Sequence, residues 1–207
     1  MRPRRFAGLD RVAQQDRVPP GQTVTKGWPV LHAGPVPSFN PKTWDFEVYG
    51  EVERPMIWTF PQWMQLERKR VTVDIHCVTT WSKLGMTWGG VPFKLIEEIC
   101  KPKLDARFVL QEAEFGYTTN LPIDDYRRDD VLVADWADGK PLEPDHGGPV
   151  RMMIPHRYFW KSAKWLRKLR FSAEDERGFW EVRGYHNRAD PWTEERYSSQ
   201  EDPPYSG

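Results

Sequence analysis

The chain has 207 residues, with 30 basic against 30 acidic side chains, a formal net charge of zero and 39% apolar residues. That is enough chain for one large domain or two small ones with a proper core. The charge balance excludes a broad nucleic-acid-binding face, and no run approaches the roughly 20 apolar residues of a spanning helix, so the chain reads as a soluble protein.

Any anion site must therefore be a local cluster. Two cysteines, Cys77 and Cys100, make no disulfide framework, and no CxxC or Cys/His array suggests zinc. A reducing cytoplasm is the simplest location. The start, "MRPRRFAGLD", has paired arginines but no apolar stretch behind them, and reads as neither a secretory nor a twin-arginine signal. Eleven Trp and nineteen Pro fit either a core of short strands with aromatic fillers or an aromatic-lined cleft, and composition does not choose.

The first forty residues are rich in Pro and Gly and read as extended coil laid over the domain. "TWDFEVYGEV" alternates Trp44, Phe46 and Val48 as a strand does. "TFPQWMQLERKR" predicts a short helix with Thr59 as N-cap and Pro61 in its first turn. In "VTVDIHC", Val71, Val73, Ile75 and Cys77 share one face of a strand, followed by a loop rich in Trp, Gly and Thr. "GGVPFKLIEEICK" predicts a helix with Leu95, Ile96, Ile99 and Cys100 on its apolar stripe, which makes Cys100 a core residue. "ARFVLQEAE", "DVLVADWADG" and "PVRMMIPHRYF" read as strands, with "FGYTTNLPIDDYRRD" as a loop. "KSAKWLRKLRF" reads as an amphipathic helix with Ala163, Trp165, Leu166 and Leu169 inward, and "GFWEVRGYHN" as a late strand. Without regular βαβ alternation the fold class is α+β, a single domain over 1–207 with an extended N-terminal coil (1–40) and a polar C-terminal tail (188–207).

Three constellations can carry chemistry. Cys77 has two readings, a small buried hydrophobe or a functional thiol. The second is supported by its place where a strand gives way to a loop, and by hydroxyls, indole N–H groups, His76 and Lys83 nearby, which favour a thiolate able to bind a soft metal. In "DHGGPVRMMIPHRYFWKSAKWL", His146 and Arg151 bracket a Gly-Gly-Pro turn where backbone can approach a ligand. Ser162 and Lys164 then fall in the first turn of the expected helix, where a cation is unfavourable unless an anion lies between. A phosphate is the natural candidate, whereas Arg167, Lys168 and Arg170 read as a solvated face. In "GYTTNLPIDD", Tyr117 is either a satisfied loop phenol or a hydrogen-bond donor in a pocket.

These pieces, in this order, resemble the sulfite oxidase superfamily of molybdenum enzymes. "HCVTTWS" is similar to the metal-ligand loop of the protein-methionine-sulfoxide reductase branch. "GYTTNLPIDD" followed by "GKPLEPDHGGPVRMMIPHRYFWKSAKWL" is similar to the superfamily's central segment, and "LHAGPVP" to its leading one; "GYTTNLP" with "RGYHNRADPW" looks like small bacterial members. The resemblance covers residues 28–192. It implies a molybdopterin cofactor whose dithiolene gives molybdenum two sulfurs, with Cys77 as the third and as a catalytic residue. It also implies cofactor contacts at His32, His146, Arg151, Ser162, Ala163 and Lys164, and Tyr117 as the catalytic residue facing substrate.

The segment after Cys77, "VTTWSKLGM", lacks the arginines with which sulfite oxidases hold the sulfite dianion. The expected activity is accordingly two-electron oxygen-atom transfer on a sulfoxide- or N-oxide-type small molecule, with Lys83 and Arg157 as the cations left to attract an anionic substrate. The alternatives are a sulfite oxidase or dehydrogenase with an altered anion site, and a cofactor-binding member without turnover. A plain redox thiol protein is disfavoured by the missing second cysteine of a CxxC pair. With no Cys cluster, no CxxCH and no room for a haem or Ig-like domain, a monomer served by an external electron-transfer partner is expected.

Overall fold

In the computed structural model, residues 16–203 are described; the "MRPRRFAGLD" segment and the last four residues lie outside them. Period-two burial in "DFEVYG" places Phe46 and Val48 inward on β2 (Asp45–Gly50), where Phe46 pairs across from Trp58 of β3 (Met56–Thr59). The expected helix beyond it is one turn, α1 (Phe60–Trp63), with Gln62 accepting from the Thr59 amide. It stops there because the Arg68 guanidinium donates to the carbonyls of Trp63, Met64 and Leu66 and also pairs with Asp135. Those are the acceptors that a longer helix would have used itself.

Strand β4 (Lys69–His76) ends one residue before Cys77 and pairs antiparallel with β5 (Trp81–Pro92). The stretch read as a Trp/Gly/Thr loop is thus mostly a twelve-residue strand, and only residues 77–80 turn. Its glycines misled because they serve pairing. A Cβ on Gly90 would come within 2.2 Å of the Val133 carbonyl oxygen on β8 (Leu132–Ala137), at a register shift between Gly89 and Gly90. The β1 strand (Thr23–Val24) adds parallel to β5, and β9 (Lys140–Pro141) and β10 (Arg151–Met153) flank β8, completing a six-stranded sheet. Helix α2 (Phe93–Cys100) follows β5 and buries Phe93, Ile96 and Cys100, so Cys100 is a core residue as its spacing predicts.

The second sheet runs β3-β2-β11-β6-β7, with β6 as Phe108–Ala113, β7 as Thr118–Pro122 and β11 as Leu166–Ser172. Two expectations change here. "GYTTNLPIDDYRRD" is not a loop but β7 plus a one-turn helix α3 (Ile123–Tyr126). "KSAKWLRKLRF" is not a helix but the central strand β11, parallel to β2 and antiparallel to β6. A register shift between Leu166 and Lys168 spaces the buried Leu166 and Leu169 by three, which imitates helical periodicity. The basic residues are paired, Lys168 with Glu47, Arg170 with Glu112 and Glu176, and Arg167 with Asp45 and Glu114.

"GFWEVRGYHN" forms no strand beyond one bridge, Tyr185 to Tyr197; its middle is a 3₁₀ turn, Glu181–Arg183. The segment read as a polar tail packs back onto the body, where Ala189 is buried and accepts at its carbonyl from the Tyr158 amide. Asp190 pairs with Arg157, which is also held by Asp125. One large hydrophobic cluster joins Trp44, Phe46, Trp63, Phe93 and Leu169; a smaller one, of Ile75, Trp88, Met153 and Phe159, lies beneath the Cys77 hairpin. No helix among the described residues is long and apolar enough to cross a membrane.

The backbone contact at Gly90 yields a test. Gly90→Ala is expected to cost about 1–3 kcal/mol by overpacking, read as a lower melting temperature. Gly27→Ala, with no atom within 4 Å of the added carbon, is expected to leave it unchanged. Equal effects would mean that the β5–β8 register does not depend on the glycine.

Candidate active site

The β4–β5 hairpin presents Cys77 in its turn, closed by the Cys77 amide donating to the Trp81 carbonyl and the Thr80 amide to the Cys77 carbonyl. Both flanking segments brace this turn: Gln22 Nε2 donates to the Cys77 carbonyl (3.1 Å) and Arg196 Nη1 to that of Val78 (2.6 Å). The thiol is half-buried, and its Sγ lies 3.2 Å from Thr79 Oγ1. Burial pushes the thiol's pKa up, against the hydroxyl and backbone N–H of Thr79, the nearby Arg196 and the Val78 N–H. His76 faces away from the cleft, buried against Ser82 Oγ at 2.8 Å, and burial lowers its pKa to about 4.

Cys77 opens onto a cleft of about 520 Å³ that is also lined by His32, Tyr117, Arg151, Ser162, Ala163 and Lys164. Seven of the eight residues singled out in the sequence therefore meet in one place. The exception is His146, which does not line the cleft. Its ring stacks on Trp28 at a centroid distance of 3.7 Å, so Trp28 forms the wall in its stead. What His146 offers is its carbonyl, which accepts from Arg151 Nη1 (2.8 Å). The Gly147-Gly148 turn likewise approaches protein, against Lys164 and the Leu142 carbonyl.

One side of the cleft is cationic. The Arg151 side chain, 1% exposed, donates to the carbonyls of His146, Met152 and Ser162 and lies over the rings of Trp28, Trp88 and Phe159. Lys164 Nζ donates to the Asp145 carbonyl (2.6 Å). Neither forms a salt bridge with any carboxylate among the described residues. Burial lowers the Arg151 pKa to about 9; burial and then Arg151 lower that of Lys164 to about 7. With no helix at 162–170, the cation cannot be explained by a helix terminus; a buried guanidinium and a half-buried ammonium, neither in a salt bridge, make this wall suited to an anion instead. Lys83 and Arg157 do not line the cleft, since Lys83 reaches the Lys26 carbonyl and Arg157 is spent on Asp125 and Asp190.

The other side is aromatic. The Tyr117 hydroxyl donates to the Trp160 carbonyl (2.6 Å), and burial, with the negative Glu181 nearby, holds its pKa well above the ordinary phenol value. Beyond it Phe179, Trp180 and Tyr185 form a chain of ring contacts 5.0–5.6 Å apart that starts at Tyr117. Beneath this wall Lys161 and Glu181 form a fully buried ion pair (2.6 Å), with Glu181 also accepting from Thr119 and Trp160. Sequence reasoning missed Trp28, Trp160 and the 179–185 wall. Their only signal was the high tryptophan count.

Among the described residues no group of three or more His, Cys, Asp or Glu is placed to hold a metal. A metal at Cys77 must therefore arrive with its own donors. Two cations without a salt bridge and the buried, unpaired indole N–H of Trp81 also suit an anionic, acceptor-rich cofactor. The comparisons agree. Residues 33–180 match the family described as the oxidoreductase molybdopterin binding domain, and the chain belongs to that family: it is a molybdopterin-dependent oxidoreductase of the sulfite oxidase superfamily. It is 47% identical over 186 residues to the uncharacterized oxidoreductase YuiH of Bacillus subtilis, covering 89% of this chain and 94% of that one.

It is also 27% identical over 161 residues to the protein-methionine-sulfoxide reductase catalytic subunit MsrP of Campylobacter jejuni, covering 70% of this chain and 54% of that one. The chain thus spans about half the length of that relative. The sulfane dehydrogenase SoxCD of Paracoccus pantotrophus shares the fold, with a TM-score of 0.63 at 21% identity over 76% of this chain and 46% of that one.

The depressed Lys164 pKa has a consequence for stability. An unfolded chain holds this proton up to about 10.5 and the folded one only to about 7. Between those values the unfolded state binds more protons, so this residue makes stability rise with pH from about 7 to 10.5, while below 7 its full burial penalty remains. Cofactor-free Lys164→Met is expected to melt higher than the parent at pH 6.5, with the gap closing towards pH 10, while its cofactor content after expression falls. A parent more stable than the variant at pH 6.5 would contradict this.

Proposed function

We propose that the chain reduces an uncharged S- or N-oxide to the sulfide or amine by two-electron oxygen-atom transfer. The observation that carries this reading is the division of the cleft. Its basic lining residues, His32, Arg151 and Lys164, fall on the side of Ser162 and Trp165, while the Tyr117 end is lined by aromatic rings, and the one cation in electrostatic range of the Tyr117 hydroxyl, Arg151, is already held by three carbonyls. An oxyanion substrate at that end would lose its hydration with no free cationic donor to replace it, since Arg151 is already engaged by carbonyls. The relation to a protein-methionine-sulfoxide reductase catalytic subunit supports the same choice.

In this reading Cys77 is the chain's one ligand to molybdenum, and Arg151, Lys164 and Ser162 hold the anionic end of the pterin, with His32 and Ala163 on the same wall. The bound cofactor supplies the two-electron redox chemistry, and the protein supplies position and electrostatics. The carbon body of the substrate sits against the aromatic wall, which keeps bulk water away from the reacting oxygen. Tyr117 stays a neutral phenol at working pH because burial opposes its ionisation. To donate to the substrate oxygen it turns its O–H away from the Trp160 carbonyl, exchanging one hydrogen bond for another. The sulfur–oxygen or nitrogen–oxygen bond breaks, and the oxygen leaves as water with two protons from solvent. The two electrons come from a separate electron carrier, since the 207 residues contain neither a CxxCH nor a cysteine cluster.

The test compares cofactor-loaded protein with a reduced dye plus methyl sulfoxides or amine N-oxides against sulfite plus ferricyanide. Turnover of the oxides and poor turnover of sulfite is the expected result; efficient sulfite oxidation would overturn it. Cys77→Ser is expected to lose thiolate-to-metal absorption and activity, and Cys100→Ser to keep both. Tyr117→Phe is expected to lower kcat/KM by roughly 10- to 100-fold, the value of one hydrogen bond to developing charge, with cofactor content unchanged.

A further inference from the structure

The β6–β7 hairpin closes through Glu114-Phe115-Gly116-Tyr117, with the Tyr117 amide donating to the Glu114 carbonyl. Phe115 has φ 59 and ψ 24, and Gly116 has φ 73. Two consecutive left-handed residues make this a type I′ turn, whose first central position favours Asn, Asp or Gly. A bulky aromatic there is a conformational outlier, and this one is also 62% exposed. Neither local backbone preference nor core packing accounts for the residue. Its ring stands on the lip of the Cys77 cleft, two residues before Tyr117 and on the same cleft as Trp180 and Tyr185. No basic residue of that wall faces the cleft, since Arg183 lies over the Phe179 ring and donates to the Phe179 carbonyl.

We infer that Phe115 is a specificity residue that holds the body of the substrate, and that the preferred oxides carry an aromatic ring, as in an aryl sulfoxide or heteroaryl N-oxide. This deepens the reductase reading above and rests on it. An aryl group placed between Phe115 and the Trp180–Tyr185 pair meets aromatic faces and edges, whose quadrupoles reward a ring over an alkyl chain. A strained residue kept at a cleft lip points to use there rather than in the fold. The electron and proton balance is that of oxide reduction already given, with the ring unchanged.

The decisive variant is Phe115→Asn, which supplies the residue the turn itself prefers and so separates binding from folding. In cofactor-loaded protein it is expected to keep or raise the melting temperature and to raise KM for methyl phenyl sulfoxide by about tenfold, the loss of one aromatic contact. Its kcat with that substrate, and its kinetics with dimethyl sulfoxide, are expected to change little. The same loss is expected in binding of methyl phenyl sulfone, a fully oxidised probe followed by tryptophan fluorescence. If neither sulfoxide is reduced but the sulfone binds in a Phe115-dependent way, the aryl subsite stands and the reductase reading falls. If both sulfoxides are reduced and the variant treats them as the parent does, the reductase reading stands and the Phe115 inference is overturned. Equal loss for both sulfoxides, or a lower melting temperature, also overturns it, by assigning Phe115 to the hairpin.

Discussion

Burying a guanidinium without a carboxylate is the constraint around which this molecule is arranged. Arg151 lies inside the protein, and each of its three nitrogens donates to a carbonyl, those of Met152, His146 and Ser162, on separate pieces of chain. Each of those pieces is consequently fixed in space: the turn before β10, β10 itself, and the stretch entering β11. Aromatic faces from Trp28, Trp88 and Phe159 cover the cation, which brings the N-terminal coil and the floor of the Cys77 hairpin to the same point. Carbonyl dipoles and rings hold the charge without cancelling it. The cost of dehydrating it is therefore still present in the protein alone, and an anionic group bound beside it would offset that cost.

Stability and binding oppose each other on this wall. Lys164 sits beside Arg151 with no salt bridge and only the nearby Asp145 to offset it, so two like charges share a poorly solvated space. The arrangement is unfavourable for the chain by itself and favourable once an anion stands between them. The aromatic side follows the same logic in apolar terms, with Phe115 left exposed in a backbone conformation that suits asparagine better. In both places local preference yields to the needs of a bound molecule.

These compromises mark what was legible in the sequence. Cys77 was readable because period-two alternation runs up to it, and Cys100 because helical spacing places it with Ile96. Strand β11 was unreadable by period alone, since the register shift after Leu166 gives its buried residues a helical interval. Strand β5 looked like a loop because its glycines serve close strand contact rather than turning. His146 was placed by a motif, yet its ring belongs to the Trp28 stack, a contact between residues 118 positions apart that no local pattern encodes. The aromatic wall was visible only as composition, because its members come from the turns between elements, where periodicity is silent.

The Cys77 turn is gripped from both directions, by Gln22 near one end of the described chain and by Arg196 near the other. Arg196 lies 119 positions after the cysteine it steadies, so it is made well after the hairpin. A nascent chain that has already formed the β4–β5 hairpin still lacks that brace. The pocket around Cys77 is thereby finished only when the segment carrying Arg196 has docked, and a chain cut before that residue would present an unsteadied cysteine.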